Sequence, residues 1–86
     1  MTQYFLFNNA SISEKKDFIN TVSENFLVSI KNEGFLITNK HEDFTFFVAI
    51  EDYGFYTSRT GNYFYFLGLF IEEATGRFGD IRIKDK

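Results

Sequence analysis

The stretch that decides the fold is Asn62-Tyr-Phe-Tyr-Phe-Leu-Gly-Leu-Phe-Ile-Glu-Glu-Ala-Thr-Gly76, the densest aromatic run of the chain. Asn62 can cap a helix over 63–75, and Gly76 can follow its last turn. A buried strand over 63–70 also fits the composition, because both of its faces would be apolar. The continuation Glu72-Glu73 favours the helix. On a helical wheel the residues of the core face are Tyr63, Leu67, Phe70, Ile71 and Ala74, with Phe66 beside them, and those opposite are Tyr65, Gly68, Leu69 and Glu72.

Upstream of this stretch the sequence predicts a strand and a helix. Residues 3–8 carry apolar side chains on both faces, which is typical of a central strand, and Asn8-Asn9 end it. Ser11 and Glu14 form a capping box that starts a helix over 12–24. Lys15 is predicted at the edge of its apolar face or outside it. The apolar face itself is Ile12, Phe18, Ile19, Val22 and Phe26.

The segment 26–50 predicts a three-strand antiparallel meander. Residues 26–31 could extend the preceding helix to Gly34, but the alternation of β-branched residues favours a strand. Asn32-Glu33-Gly34 predicts a three-residue hairpin loop with Gly34 at a positive φ. Residues 44–50 alternate, with Phe44, Phe46, Val48 and Ile50 on one face.

The segment 51–61 is predicted as a loop, with a short strand at 54–57 as the alternative. After Gly79, Ile81 and Ile83 alternate with polar residues and predict a last, half-exposed strand. The order β-α-β-β-β-α-β predicts a two-layer α+β sandwich with a mostly antiparallel sheet. A ferredoxin-like split βαβ plan with one extra strand is the nearest arrangement, and the strand order stays open.

Length and composition bound the class of protein. Eighty-six residues, 44% apolar and 21% aromatic, make one domain spanning 1–86 with ample material for a core. Cysteine is absent, the amino terminus lacks the features of a signal peptide, and no run of eighteen apolar residues occurs. A cytoplasmic protein without a membrane partner is therefore expected. The net charge of -3 disfavours nonspecific nucleic-acid binding and suits a basic protein partner.

No residue set predicts catalysis, a metal site or a cofactor. His41 is the single histidine and cysteine is absent, so a zinc, copper or haem site lacks ligands. A hydrolytic triad around Ser58 and Thr60 lacks a second histidine as its base. Adjacent carboxylates do not converge on one reacting atom, and they are interpreted as solvated pairs. These pairs are Glu42-Asp43, Glu51-Asp52 and Glu72-Glu73. We therefore expect a protein that is not an enzyme and that binds no metal or cofactor.

Phe44, Phe46 and Phe47 could form a stacking platform for nucleic acid on a sheet. Such platforms carry flanking Lys and Arg, whereas the flanks here are acidic. The three rings are therefore interpreted as core.

A binding surface is predicted from the loop 51–62 and the outer face of the helix 63–75, because both are rich in residue types that are enriched at protein interfaces. The alternative is that the loop only covers the core. The predicted partner-binding residues are Glu51, Asp52, Tyr53, Tyr56, Arg59, Tyr65 and Glu72.

The ending Phe66-Leu-Gly-Leu-Phe-Ile-Glu-Glu-Ala-Thr-Gly-Arg-Phe-Gly-Asp-Ile-Arg-Ile83, about a fifth of the chain, resembles the closing helix–turn–strand of bacterial polymorphic-toxin immunity proteins of the contact-dependent inhibition type. The resemblance implies a cytoplasmic inhibitor that neutralises a cognate toxin, such as a basic nuclease domain, by covering its active site or an adjacent exosite. It carries no signature residue, so no functional residue is assigned from it.

Two other functions stay open at this point. A phage-encoded inhibitor of a bacterial defence complex, of the anti-CRISPR kind, would share the size and composition. A small ligand-binding or enzymatic α+β domain would need a deep pocket with a perturbed carboxylate. The oligomeric state is also open, and the edge strand at Ile81–Ile83 could pair with another chain.

Overall fold

The fold is a single antiparallel sheet with its helices packed on one face. A computed structural model of the chain describes residues 1–8 and 10–86, and all helices and strands below are those of the described residues. The predicted end of the first strand at Asn9 lies outside them. The strands are β1 (Thr2–Leu6), β2 (Leu27–Lys31), β3 (Gly34–Asn39), β4 (Glu42–Glu51), β5 (Gly54–Gly61) and β6 (Arg82–Asp85), and the helices are α1 (Ile12–Val22) and α2 (Phe64–Phe78). The predicted α+β class is confirmed.

The strand order in the sheet is β2-β3-β4-β5-β1-β6, and every neighbouring pair is antiparallel. Short turns connect β2 to β5, so these strands form a meander whose last member pairs with β1. β6 then returns to the other side of β1. The order fits a split βαβ plan in which the hairpin between the two helices is extended to a four-strand meander, so the sheet has one strand more than the sequence predicts.

β5 differs from the prediction, which assigned most of this segment to a loop. Eight residues pair with β4 on one side, and the first five of these pair with β1 on the other. The inward-facing positions of this strand include the polar residues Thr57 and Arg59, so the sequence lacks the apolar alternation that would predict a strand. Both are buried beside Phe55, and the Thr57 hydroxyl donates a 3.0 Å hydrogen bond to the Gln3 carbonyl.

α2 is a helix, as favoured, but its ends differ from the prediction. It begins at Phe64 without a side-chain cap from Asn62 and continues through Gly76. Its last residue is Phe78, and the cap residue Gly79 follows with a φ of 81°, which suits glycine. The extra turn places the Phe78 ring in a stacked contact with Phe7, at 4.3 Å between centroids. The half-buried Phe78 ring thus contributes apolar packing that a helix ending at Gly76 would lack.

The β2–β3 turn also differs from the prediction. The positive φ angles are those of Asn32 (50°) and Glu33 (63°), whereas Gly34 is the first residue of β3. A two-residue turn with both central φ angles positive is the tight hairpin that matches strand twist. Gly34 is needed for a different reason, because a Cβ there would lie 2.5 Å from Cζ of Phe47.

The core lies between the sheet and the helices and is built mainly from phenylalanine. The predicted capping box opens α1, with Glu14 N–H donating to Ser11 Oγ at 3.1 Å and Ser11 N–H to Glu14 Oε1 at 3.0 Å. The inward face of α1 includes Lys15, whereas Ile12, predicted as part of the apolar face, is exposed. The buried apolar residues are Phe5, Phe7, Phe18, Ile19, Val22, Ile37, Phe44, Phe46, Val48, Phe55, Phe66, Phe70 and Ala74.

Candidate functional site: the open face of the sheet

The face of the sheet that α1 and α2 do not cover is the candidate site, and we call it the open face. Successive side chains of a strand point to opposite faces, so the residues between the core positions of β4 and β5 point away from the helices. Residues paired across neighbouring strands share a face, which extends the assignment over the sheet. The open face carries Tyr4, Leu6, Leu36, Thr45, Phe47, Ala49, Tyr56, Ser58, Arg82 and Lys84.

Four aromatic rings form a continuous row across the open face. The centroid of Phe47 lies 6.3 Å from that of Tyr56, Tyr56 lies 5.7 Å from Tyr4, and Tyr4 lies 5.9 Å from Tyr53. Adjacent rings meet edge to face or tilted, the arrangement that aromatic quadrupoles prefer. We call Phe47, Tyr56, Tyr4 and Tyr53 the aromatic row. Each ring of the row thus contacts at least one other ring of the row.

Beside the aromatic row lies a shallow hollow of about 510 Å³, open to solvent. Its walls are the aromatic rings of Phe47 and Tyr56, the aliphatic side chain of Leu36, and the charged side chains of Lys31 and Glu51. Asn32, Ala49 and Ser58 complete the lining. The hollow thus combines an apolar floor with one cation, one anion and several hydrogen-bonding groups.

At one side of the hollow, two neighbouring positions on adjacent strands carry almost no side chain. Ala49 pairs with Tyr56, and the register that pairs Phe35 with Val48 brings Gly34 beside Ala49 on the adjacent strand. The Phe47 ring leans over Gly34, where it covers the bare backbone and forms one wall. An aromatic ring laid on a cross-strand glycine is a known way to stabilise such a position.

The β4–β5 turn at one end of the open face is hydrogen-bonded to a lysine of α1 on the other side of the sheet. Lys15 is only 4% exposed, and its Nζ donates to the carbonyl oxygens of Glu51 at 2.7 Å and Asp52 at 3.5 Å. The Phe7 N–H donates to the Tyr53 carbonyl at 2.9 Å. The prediction that Lys15 lies at the edge of the apolar face or outside it is wrong. The buried Lys15 ammonium group thereby connects α1 to the hairpin turn that carries Asp52 and Tyr53.

The Tyr53 phenol is a neutral hydrogen-bonding group at physiological pH. Partial burial, the nearby Glu51 carboxylate and the neighbouring tyrosines raise its pKa above the ordinary value. A phenol that stays protonated can donate to a partner as well as accept, while its ring supplies apolar area.

The predicted site residues fall into three places. Glu51, Asp52, Tyr53 and Tyr56 lie together at the open face and its adjoining turn. Tyr65 is 69% exposed in the first turn of α2, and Glu72 is exposed further along the same helix, so both lie on the helix layer. The structure therefore does not join the two halves of the predicted surface.

Arg59 takes the third place, inside the molecule. It is 1% exposed and points toward the helices, with its guanidinium 4.8 Å from the Tyr63 ring centroid and 5.8 Å from that of Phe46. Nη2 contacts Met1 Sδ, while Nε and Nη1 have no hydrogen-bond partner among the described residues. Burial lowers the pKa of Arg59, and the nearby Tyr63 and Asp85 offset part of that effect. Arg59, predicted as a partner-binding residue, therefore lies in the core and not on the open face.

The sequence predicts Leu69 on the side of α2 opposite the core, and this prediction is wrong. It is half-buried against the core, and it shares a surface cleft with Val22 and Phe26. The fully buried positions of α2 are Phe66, Phe70 and Ala74. The apolar stripe is thus rotated from the predicted one, which leaves Phe64 and Tyr65 exposed.

Several residues of the site are absent from the predicted partner-binding set, among them two rings of the aromatic row and most of the lining of the hollow. The sequence places Tyr4, Lys31 and Ala49 in predicted strands without a site role, and it predicts Phe47 as core. A signal for Phe47 and Ala49 was present, because alternation through Phe46 and Val48 places them on the face opposite the core. Tyr4 joins the site through the pairing of β1 with β5, which a sequence does not encode locally.

A comparison of the chain with protein-family models, curated proteins and solved structures finds no match. Among residues 1–8 and 10–86, no three side chains of His, Cys, Asp or Glu come together as a metal site would require. None of the helices within the same residues has the length and apolar character needed to span a bilayer.

Proposed function

We propose that this chain is a protein-binding inhibitor of the immunity-protein kind, which neutralises a toxin domain by covering its active site or an adjacent exosite with the open face. The carrying observation is the aromatic row beside a hollow of mixed apolar and charged lining, on the sheet face that the helices leave uncovered. Tyrosines in well-ordered patches dominate the energy of many protein interfaces. The resemblance of residues 66–83 to immunity proteins supports the inhibitor role.

The hollow suits a polypeptide more than a small charged ligand. It is wide and shallow, and Lys31 and Glu51 place opposite charges on its rim. A segment of a partner can lay an apolar side chain on Phe47 and Tyr56 and still satisfy both charges. The net charge of -3 and the resemblance to immunity proteins support a basic partner, whereas the open face itself also carries the cations Arg82 and Lys84.

The test is affinity capture from the native host with three baits: wild type, Tyr56→Ala and Tyr65→Ala. We expect wild type and Tyr65→Ala to retain the same stoichiometric protein. Tyr56→Ala should weaken its binding by at least about 30-fold in calorimetry with the purified partner, the loss typical of a central interface residue. The captured protein should be toxic or enzymatically active, and wild type should inhibit it.

A second variant tests the hollow without removing any contact. Ala49→Leu adds bulk to the floor between Gly34 and Tyr56, and it should lower partner affinity while the free protein stays folded. Loss of binding in Tyr65→Ala instead of Tyr56→Ala would move the contact to the helix layer and contradict the proposal. Recovery of single-stranded nucleic acid alone, bound through the aromatic row, would also contradict it.

A further inference from the structure

The outermost strand β2 is the least protected part of the sheet. All five of its residues are exposed, and Ile30 is 82% exposed although it is large and apolar. Leu27 and Val28 are also exposed. Natural edge strands are usually blunted by charge, proline, a bulge or a covering element. β2 carries a single charge, at Lys31, and its pairing with β3 runs without a bulge.

The free backbone groups of β2 can be assigned from the turn that follows it. The turn at Asn32 and Glu33 closes on the Lys31–Gly34 pair. Hydrogen-bonding residues alternate along an antiparallel strand, so Leu27, Ser29 and Lys31 bond toward β3. The N–H and C=O groups of Val28 and Ile30 therefore point outward, toward whatever pairs with this edge.

The sequence of β2 is complementary to itself when a second copy runs antiparallel to it. A two-fold axis at Ser29 pairs Val28 with Ile30 of the second copy, and Ile30 with its Val28. The outward-pointing backbone groups then meet each other, as hydrogen-bonded pairs of an antiparallel ladder require. On the helix side of the sheet, two valines and two isoleucines come together and cover each other.

The charges also allow this pairing. The register places Lys31 opposite Leu27 of the second copy, so the aliphatic stem of the lysine covers an exposed leucine and no like charges face each other. At the opposite edge of the sheet, three of the four residues of β6 are charged: Arg82, Lys84 and Asp85. The β6 edge of the sheet is thus protected by charge, whereas the β2 edge is unprotected and complementary to itself.

We propose that a second copy of this chain pairs with β2 through a two-fold axis at Ser29 and forms one continuous sheet across the dimer. Because Lys31 and Asn32 also line the hollow, the dimer brings two hollows close to the axis on the same open face. A pair of five-residue strands buries little area, so the dimer forms in a concentration-dependent way.

The test is sedimentation velocity over a series of protein concentrations. We expect the average mass of wild type to rise from the monomer toward twice that value. Ile30→Lys should stay monomeric over the same series, whereas Ile83→Lys, the matched substitution at the β6 edge, should dimerise like wild type. A wild type that stays monomeric at every concentration, or an Ile30→Lys that still dimerises, would overturn the proposal.

A charge pair tests the register itself. Val28→Glu and Ile30→Lys should each be monomeric alone, because each places an unpaired charge in the apolar cluster of the dimer. Mixed together they should form a heterodimer, in which the introduced carboxylate of one variant faces the introduced ammonium group of the other. A mixture that remains monomeric contradicts the register. Tyr56→Ala should weaken partner binding but leave the dimer intact, so the dimer and the proposed function can be disproved independently of each other.

Discussion

At the scale of single residues, Gly34 supports both the fold and the hollow. Its backbone φ is not one that demands glycine, but a Cβ there would lie 2.5 Å from Phe47 Cζ and 2.7 Å from the Val48 carbonyl oxygen. The Phe47 ring therefore needs a bare neighbour in order to lie flat on β3. Its position then sets one wall of the hollow.

Gly34→Ala should destabilise the protein by roughly 1–3 kcal/mol, because the new methyl group displaces a packed ring and meets a backbone oxygen. The measurement is the free energy of unfolding in urea. Gly68→Ala is the matched control, since a Cβ at this exposed position of α2 meets nothing within 4 Å. That control should gain about 1 kcal/mol from helix propensity. Equal effects at the two sites would show that the contact with Phe47 is unimportant.

Arg59 shows that the role of an arginine depends on which face of its strand it occupies. In the sequence it lies between hydroxyl side chains and has the composition of an interface residue. In the fold it falls on the core side of β5, where aromatic rings take the place of a carboxylate partner. Face assignment in a strand depends on where the strand starts, and a shift of one residue would have exposed it.

At the scale of elements, the β2–β3 turn carries local strain. Glu33 has a φ of 63°, a region that side chains other than Asn, Asp and Gly adopt at a cost of about 1–2 kcal/mol. Asn32 has a similar φ but tolerates it. The sequence Asn-Glu-Gly therefore looks like a glycine-containing loop, whereas the glycine serves the strand and not the turn.

Glu33→Gly should stabilise the protein by about 1 kcal/mol, because Asn-Gly is the preferred pair for this turn type. Thermal unfolding at fixed protein concentration measures the change. Asn32→Gly serves as the control and should be close to neutral, since asparagine already accepts a positive φ. A loss of stability in Glu33→Gly would mean that the turn is not strained at this residue.

The elements that local signals encode were predictable, and those that depend on distant packing were not. The capping box of Ser11 and Glu14 fixed the start of α1, because both partners lie within one turn. The end of α2 depended on Phe78 reaching Phe7, a contact across 71 positions of sequence. The open-face site was predictable in its turn, at Tyr56 and, through alternation along β4, at Phe47 and Ala49. Tyr4 and Lys31 were not predictable, because they reach the site through strand pairing.

At the scale of the whole molecule, the two layers are connected through Lys15. The helix layer supplies its ammonium group, and the hairpin turn supplies the carbonyl oxygens of Glu51 and Asp52 that accept from it. The turn carries Tyr53, the last ring of the aromatic row, and Glu51 lines the hollow. A change on α1 should therefore alter the geometry of the open face on the opposite side of the sheet.

Lys15→Met tests this connection, because it keeps the aliphatic stem and removes the donor. Losing a charged hydrogen bond should cost about 1.5–3 kcal/mol of stability. Amide exchange in residues 51–55 should accelerate more than in β3 or β4, and partner binding through the open face should weaken. Lys16→Met, at the exposed neighbouring position, should change none of these quantities. Equal exchange rates in the two variants would show that the turn holds its shape without α1, and the rigidity of the site would then belong to the sheet alone.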